Sequence, residues 1–184
     1  MCRVAQPKNI YPDFTLTPSG LQYKDFREGS GASPKQGQRV IVDWDGYTAG
    51  YYGRPFEARN KAKGGAFTGD NKEYLRWVLG SGDMSTSLFG RRLGLSFTRT
   101  HARFEPLPAV GGFEEAVAGM KPGGIRRIVV SPGPLFYPLD KPRSKGPKPS
   151  TFSGERALYF VLENQGLIDK TLLFDIELIR VENA

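Results

Sequence analysis

Side chains that commonly carry out enzyme chemistry are scarce in this 184-residue chain. Cys2 is the only cysteine, so neither an internal disulfide nor a thiolate metal cluster can form. His101 is the only histidine, and no HExxH or similar metal-binding spacing surrounds it. A Ser-His-Asp site on His101 would lack the GxSxG turn that presents the serine in one large class of hydrolases. We therefore expect no bound metal and no catalytic nucleophile, and we interpret His101 as an exposed loop residue.

Glycine-rich loops that hold phosphate groups are also missing from the sequence. The glycines fall into neither GxGxxG nor GxxxxGK(S/T) after a predicted strand, so no nucleotide or other cofactor is expected. Aromatic residues, in contrast, are plentiful, with 12 Phe, 8 Tyr and 2 Trp. If the chain is an enzyme, its chemistry must need neither a metal, nor a nucleophile, nor a nucleotide.

The net charge of +7 at pH 7 invites acidic partners, nucleic acid among them. The basic residues concentrate in two segments rich in loop-forming residues: Arg91, Arg92, Arg99 and Arg103, and then Lys141, Arg143, Lys145 and Lys148. Single-strand binders interleave aromatic and basic residues on a sheet face, and that pattern is not found here. We therefore expect a solvated basic surface and no nucleic-acid partner, with nucleic acid kept as an alternative that rests on charge alone.

The elements that must position any cleft are mostly short strands. Alternation of apolar and polar residues predicts strands at 21–26, 38–47 and 171–181, and further strands are predicted at 74–79 and at the β-branched segment 124–131. A short helix is predicted at 113–120, with Phe113, Val117 and Met120 on one stripe, and a second helix at 155–164. The segment 51–69, which contains residues 54–57, is interpreted as a glycine-rich connection. This order predicts an α+β domain, with an antiparallel sheet of about five strands over a short central helix.

Irregular segments flank and interrupt this predicted domain. Residues 1–17 form an irregular N-terminal arm, and residues 18–184 form the domain, with insertions at 81–108 and 138–168. The insertion at 81–108 has no clear period, which is typical of a functional or disordered loop. No run of 18 apolar residues is present, so no transmembrane segment is expected. The polar start of the chain predicts either a mature chain or one that never carried a targeting peptide.

Three groups of residues, taken in chain order, resemble the FKBP family of peptidyl-prolyl isomerases. They are VDWDG at 42–46 with Phe56-Glu57, VLG at 78–80 with GFEEAVAGMKPG at 112–123, and LLFDIEL at 172–178. The resemblance spans residues 21–181, and the order of the motifs carries it more than any single motif does. It implies a twisted sheet wrapped on a short central helix, and a cleft that rotates X-Pro peptide bonds.

The resemblance also implies which residues form the cleft. Phe113 is its floor; its walls are Trp44, Phe56, Val110 and Phe174; and Tyr137 stands at the family's pocket tyrosine, or Phe136 if the local alignment shifts by one. Glu57 stands where most members have an aspartate that polarises the substrate. Any one of these aromatic residues alone would be interpreted as core packing, so their roles depend on the motif order.

Several of these positions depart from the family pattern. Trp44 replaces a tyrosine, Glu57 an aspartate, Phe113 a tryptophan and Leu75 a phenylalanine. The extra methylene of glutamate moves its carboxylate roughly 1–1.5 Å outward. A displacement of that size can lower turnover steeply, so the expected activity is weak. The Pro/Lys-rich loop at 138–150 and the helix after it replace the family's compact flap, and are expected to shape or cover the pocket.

Within the family, the chain resembles a branch found in the chloroplast thylakoid lumen of plants and algae. The likeness lies in GYT at 46–48, FEARNK at 56–61, TFSGERA at 151–157 and NQGLIDK at 164–170. It implies an isomerase or folding helper that acts on proline-containing lumenal proteins. The alternative is a weakly catalytic or non-catalytic assembly factor or accessory subunit, bound to a photosynthetic membrane complex such as a photosystem. The insertions and the altered pocket favour the alternative, whereas Phe56, Phe113 and Phe174 favour the enzyme.

Overall fold

The computed structural model describes residues 9–58, 74–81, 84, 111–138, 140, 142–143, 145–165 and 168–183. Within these ranges the chain forms seven strands and two helices. They are β1 (Thr15–Leu16), β2 (Gln22–Arg27), β3 (Arg39–Thr48), β4 (Arg54–Glu57), β5 (Leu75–Val78), α1 (Gly111–Ala118), β6 (Ile125–Val130), α2 (Phe152–Glu163) and β7 (Leu172–Glu182). The predicted α+β class with an antiparallel sheet is confirmed.

The seven described strands form one sheet in the order β1-β2-β6-β7-β3-β4, and every pairing is antiparallel. The long strand β3 also pairs with β5, through its first half on the edge opposite β7. Strand β7 lies between β6 and β3, so Phe174 is opposite both Gly46 and Ile128. The middle of the sheet is therefore built from strands that are far apart in the chain.

Helix α1 packs against this sheet through the apolar stripe that its spacing predicts. Phe113, Val117 and Met120 are all buried, and the Gly123 N–H after the helix donates to the Leu178 carbonyl at 2.6 Å. Arg126 on β6 fastens the end of the helix, because its guanidinium donates to the Ala116 carbonyl at 2.9 Å. The same side chain forms two hydrogen bonds with Asp25 on β2. Arg126 thus links the end of α1 to both β6 and β2.

Two strands differ from the sequence prediction. Residues 54–57 were expected in a glycine-rich connection, but they pair with the end of β3, because burial of Phe56 anchors the segment and an edge strand tolerates Pro55. Thr15–Leu16, within the region predicted as an irregular arm, pairs with β2. The sheet therefore has seven described strands, against about five predicted.

Helix α2 begins three residues earlier than predicted. The Thr151 side chain accepts a hydrogen bond from the Gly154 N–H at 3.1 Å, which caps the helix before Phe152. The exposed side chains of the first turn gave no apolar stripe from which this start could be predicted.

The predicted insertion at 81–108 lies outside the described residues, apart from Ser81 and Met84. Neither of the two described helices is long and apolar enough to cross a bilayer.

Candidate functional site

Four of the predicted cleft residues, each from a different element, come together beneath the sheet. They are Trp44 on β3, Phe56 on β4, Phe113 on α1 and Phe174 on β7, and we call them the aromatic cluster. Trp44 lies 5.9 to 6.1 Å from each of the other three ring centroids. Phe174 lies 5.9 Å from Phe56 and 5.6 Å from Phe113, with both pairs edge to face. Such geometries are the favourable ones for aromatic pairs.

Gly46 makes this approach possible. It lies on β3 opposite Phe174 and Glu57, where the ladder between β3 and β4 has an irregular register. A Cβ at position 46 would overlap the ring of Phe56 and lie 2.9 Å from the ring of Trp44. The glycine of the VDWDG motif therefore lets Phe56 lie directly against the backbone of β3.

The aromatic cluster is closed in this conformation. Each of its four residues exposes no more than 3% of its surface. The four rings are therefore shielded from solvent in this conformation.

Glu57 follows Phe56 on β4, and its carboxylate binds a segment of its own chain. Its Oε2 accepts from the Ser150 N–H at 2.5 Å, and its Oε1 accepts from the Ser150 hydroxyl at 3.2 Å. The Ala58 N–H also donates to Oε1, at 3.0 Å. The longer side chain of glutamate here spans the gap between β4 and the loop that precedes α2.

Tyr137 is also engaged by that loop. Its hydroxyl donates to the Pro147 carbonyl at 2.7 Å, and its ring pairs with Phe136 at 5.8 Å rather than with a described ring of the aromatic cluster. Burial, with a smaller effect from Tyr159, raises the pKa of the Tyr137 phenol well above its usual value. Tyr137 therefore stays a neutral hydrogen-bond donor. The neighbouring Phe136 is buried as well and has no hydroxyl to donate.

We call residues 146–150 (Gly-Pro-Lys-Pro-Ser) the strap. Gly146, Pro147 and Pro149 are buried, whereas Ser150 is exposed. Gly146 has φ +104°, a backbone conformation that favours glycine, and a Cβ there would also overlap the Tyr137 ring. Both features require glycine at this position. The loop expected to shape or cover the pocket thus ends in a segment that binds both predicted polar residues.

Two contributors near the aromatic cluster were missed by the sequence analysis. Trp77 on β5 lies 5.8 Å from Phe113, and its Nε1 donates to the buried Glu114 carboxylate at 3.1 Å. Glu114 also accepts from the Gly80 N–H at 3.2 Å, so it ties α1 to the end of β5. The sequence did indicate that Trp77 is buried, because Leu75 and Trp77 are two positions apart in a predicted strand and so lie on the same face of it. Leu75 is buried in the core.

One predicted cleft residue, Val110, lies outside the described residues, immediately before α1. Among the residues that the structure does describe, no three His, Cys, Asp or Glu side chains are grouped so that they could hold a metal ion.

Comparison with known proteins gives the same identification as the motif order. The model of the FKBP-type peptidyl-prolyl cis-trans isomerase family matches residues 31–179. Peptidyl-prolyl cis-trans isomerase FKBP19, chloroplastic, of Arabidopsis thaliana is 55% identical over 174 residues, which is 95% of this chain and 58% of that protein. Peptidyl-prolyl cis-trans isomerase FKBP17-1, chloroplastic, of the same plant is 27% identical over 91% of this chain and 63% of that protein.

Among solved structures, the N-terminal domain of FKBP42 from Arabidopsis thaliana has a similar fold. It matches with a TM-score of 0.54 at 15% identity, over 96% of this chain and 97% of that one. The chain spans 58% and 63% of the length of the two curated relatives named above. With one family model covering most of the residues and a relative more than half identical, this chain belongs to the FKBP-type peptidyl-prolyl cis-trans isomerase family.

Proposed function

We propose that the protein is a peptidyl-prolyl cis-trans isomerase of the chloroplast that rotates X-Pro bonds in proline-containing clients of the thylakoid lumen. The observation that carries the activity is the convergence of four aromatic residues from four elements beside the Glu57 carboxylate. The chloroplastic relatives support the organelle. The lumen rests on the four motifs that resemble the lumenal branch.

The reaction needs little more than a dry, shaped cleft. An X-Pro bond rotates over a barrier of about 18–20 kcal/mol because rotation breaks amide resonance. An apolar aromatic surface disfavours the charge-separated resonance form and so weakens the double-bond character of the C–N bond. A surface that fits the twisted amide better than either planar form then lowers the barrier. Trp44 and Phe113 would supply this surface, while Tyr137 and Glu57 would hold the backbone of the client.

A protease-coupled isomerisation assay on an Ala-Leu-Pro-Phe peptide tests this proposal. We expect weak turnover by the wild-type chain and its loss in Phe56→Ala, since that change empties one wall of the cluster. Phe56→Leu keeps an apolar wall and guards against the case in which Phe56→Ala fails to fold. The matched control is Phe26→Ala on β2, where the ring is 54% exposed and lies outside the cluster. Equal turnover in Phe56→Ala and the wild type would overturn the assignment.

A second candidate function, docking on a partner complex, is favoured by a separate surface. A groove of about 480 Å³ lies between the β3–β4 hairpin and α2, and we call it the arginine–aromatic groove. Its lining residues are Thr48, Tyr51, Arg54, Pro55, Phe152, Ser153, Arg156, Ala157 and Phe160. None of these is acidic, and Phe152 and Phe160 expose 76% and 53% of their surfaces. Beside it, Tyr52 is 87% exposed with φ +58°, a conformation that few residues other than glycine adopt.

The chemistry of this groove fits an acidic protein segment that carries an apolar anchor. Arginine and aromatic side chains are enriched where interfaces gain most of their binding energy. Arg54 and Arg156 are exposed here, and no described lining residue carries a carboxylate, so acidic groups of a partner would be complementary in charge. On a thylakoid membrane complex such as a photosystem, such a segment would dock an accessory subunit.

Fluorescence anisotropy with a labelled Asp-Glu-Phe-Asp-Glu peptide measures this docking directly. We expect binding that weakens at high salt and falls at least tenfold in the double variant Arg54→Ala/Arg156→Ala. The control Arg76→Ala removes one exposed arginine on β5, outside the groove, and should bind like the wild type. Equal binding of a Lys-Lys-Phe-Lys-Lys peptide would contradict the proposal. So would binding to anionic lipid vesicles in place of the peptide.

A further inference from the structure

We infer that the strap is an internal ligand of the candidate isomerase site, and that the site binds Pro-x-Pro segments of other proteins in the same way. The choice of site rests on the proposed function, but the contacts of the strap stand by themselves. In this binding mode, a prolyl carbonyl accepts from Tyr137, and an N–H three residues later donates to Glu57.

The first contact lies at the tyrosine end of the strap. The Tyr137 hydroxyl donates to the Pro147 carbonyl at 2.7 Å, and the Gly146 backbone lies against the tyrosine ring. The Gly146-Pro147 peptide bond is therefore held next to the ring and the hydroxyl of Tyr137. The resemblance places Tyr137 at the position of the family's pocket tyrosine.

The second contact lies at the carboxylate end. Glu57 accepts both the N–H and the hydroxyl hydrogen of Ser150. Between the two contacts, Pro149 is buried and lies close to Gly154 at the start of α2. Gly154 in turn lies so close to the Phe56 carbonyl that a Cβ there would overlap it. The strap thus runs from Tyr137 to the strand that carries Phe56.

The composition of the strap defines the class of ligand. A proline has no N–H, so between Pro147 and Ser150 only Lys148 and Ser150 can donate from the backbone. Proline also fixes φ, which keeps such a segment extended and lowers the entropy lost on binding. Extended Pro-x-Pro segments of other chains share these properties, and aromatic-lined grooves commonly bind them.

An internal ligand makes the site latent. While the strap is bound, the hydrogen bonds that Tyr137 and Glu57 make with it leave those groups less available to a client. A tethered segment competes at an effective concentration of about a millimolar or more. The apparent affinity for an external segment is the intrinsic affinity multiplied by the fraction of molecules in which the strap is released. Among the described residues of the loop before the strap, Arg143 forms an exposed ion pair with Glu163 and lies over the Tyr159 ring. Exposed pairs of this kind contribute little.

Two substitutions at the exposed Ser150 weaken the strap without touching the aromatic cluster. Ser150→Ala removes only the hydroxyl bond to Glu57, whereas Ser150→Pro removes the N–H bond as well. The control Ser153→Pro places proline in the first turn of α2, where proline is tolerated, and leaves the donors and acceptors of the Glu57 and Tyr137 bonds in place. Circular dichroism checks that each variant folds, and Ser150→Ala gives the same direction of change should Ser150→Pro fail to fold.

The binding probe is an acetylated Gly-Pro-Lys-Pro-Ser amide, titrated while tryptophan fluorescence is recorded. We expect Ser150→Pro to bind the peptide at least tenfold more tightly than the wild type and the Ser153→Pro control, with Ser150→Ala in between. A Gly-Ala-Lys-Ala-Ser peptide should bind far more weakly to every variant. Equal affinity of Ser150→Pro and the wild type for the proline peptide would overturn the inference, as would equal affinity for the two peptides.

The isomerase assay, run on the same variants, separates this inference from the proposed function. Tighter binding in Ser150→Pro with a matching rise in turnover supports both. Tighter binding with no turnover in any variant supports the internal ligand and overturns the isomerase. Turnover in the wild type with neither a rise nor tighter binding in Ser150→Pro supports the isomerase and overturns the internal ligand.

Discussion

At the scale of single residues, Tyr137 shows how burial and a hydrogen bond act together. Its hydroxyl is sealed from solvent and donates to the Pro147 carbonyl, and burial raises the pKa of the phenol well above its usual value. The neutral form is thereby favoured in the folded chain. Because the folded-state pKa exceeds the unfolded one, this contribution is fully present below the ordinary tyrosine pKa of about 10. It is lost as the pH rises from there toward the folded-state pKa.

Tyr137→Phe should therefore destabilise the chain in a pH-dependent manner. Near neutral pH, we expect a loss of about 1–3 kcal/mol in the free energy of unfolding, because the buried Pro147 carbonyl loses its donor. Above about pH 10 the gap between the two proteins should narrow, since only the wild type has this phenol to ionise on unfolding. Urea unfolding at two pH values measures both effects. Tyr52→Phe, at an 87% exposed tyrosine, should show neither, and a gap that stays constant with pH would count against this account.

The residues of the aromatic cluster could be predicted from sequence, whereas their closure could not. Trp44, Phe56, Phe113 and Phe174 were identified because their motifs occur in a fixed order, and the structure brings all four together. Whether they are open to solvent depends on contacts between segments that are distant in the chain, and such contacts leave no periodicity in the sequence. The bond between Glu57 and Ser150 joins residues 93 positions apart, which no local pattern encodes.

At the scale of elements, the predictions succeeded where one face of an element is buried. Strand β7 alternates, and the stripe of α1 is apolar, so both were located to within two residues. Strand β4 has two exposed residues followed by two buried ones, which is not an alternating pattern. Its position is set by the packing of Phe56 on Gly46, a contact between segments that the sequence does not show to be neighbours.

The packing of α2 on β4 gives a prediction at this scale. Gly154→Ala should gain about 1 kcal/mol from helix propensity. The new methyl group would overlap the Phe56 carbonyl, however, and overpacking of this kind typically costs about 1–3 kcal/mol. We expect a net decrease in the free energy of unfolding, measured in urea. Gly133→Ala is the control, because the nearest atom to its Cβ would be 3.9 Å away. A Gly154→Ala chain as stable as the wild type would show that α2 is not pressed against β4.

At the scale of the whole molecule, the sheet depends on its last described strand. Strand β7 hydrogen-bonds to β6 on one side and to β3 on the other, and it brings Phe174 to the aromatic cluster. Without β7, the strands β1, β2 and β6 would be separated from β3, β4 and β5.

A chain truncated after residue 171 should therefore fail to form the sheet. We expect circular dichroism without a cooperative thermal transition, and rapid digestion by a low concentration of protease. A chain truncated after residue 182 keeps every ladder of β7 and should unfold cooperatively like the full chain. A cooperative transition in the shorter chain would show that the two halves of the sheet are stable apart.

The position of β7 also sets an order of events in time. A growing chain, or one threaded through a translocation pore with its N-terminus leading, exposes β3 long before β7 emerges to pair with it. During that interval, one edge of a long and apolar strand is open to wrong partners. Contacts between segments so distant in sequence also make folding slow. Until β7 is available to pair with β3, a growing chain of this prolyl isomerase family member is therefore itself prone to misfolding and aggregation.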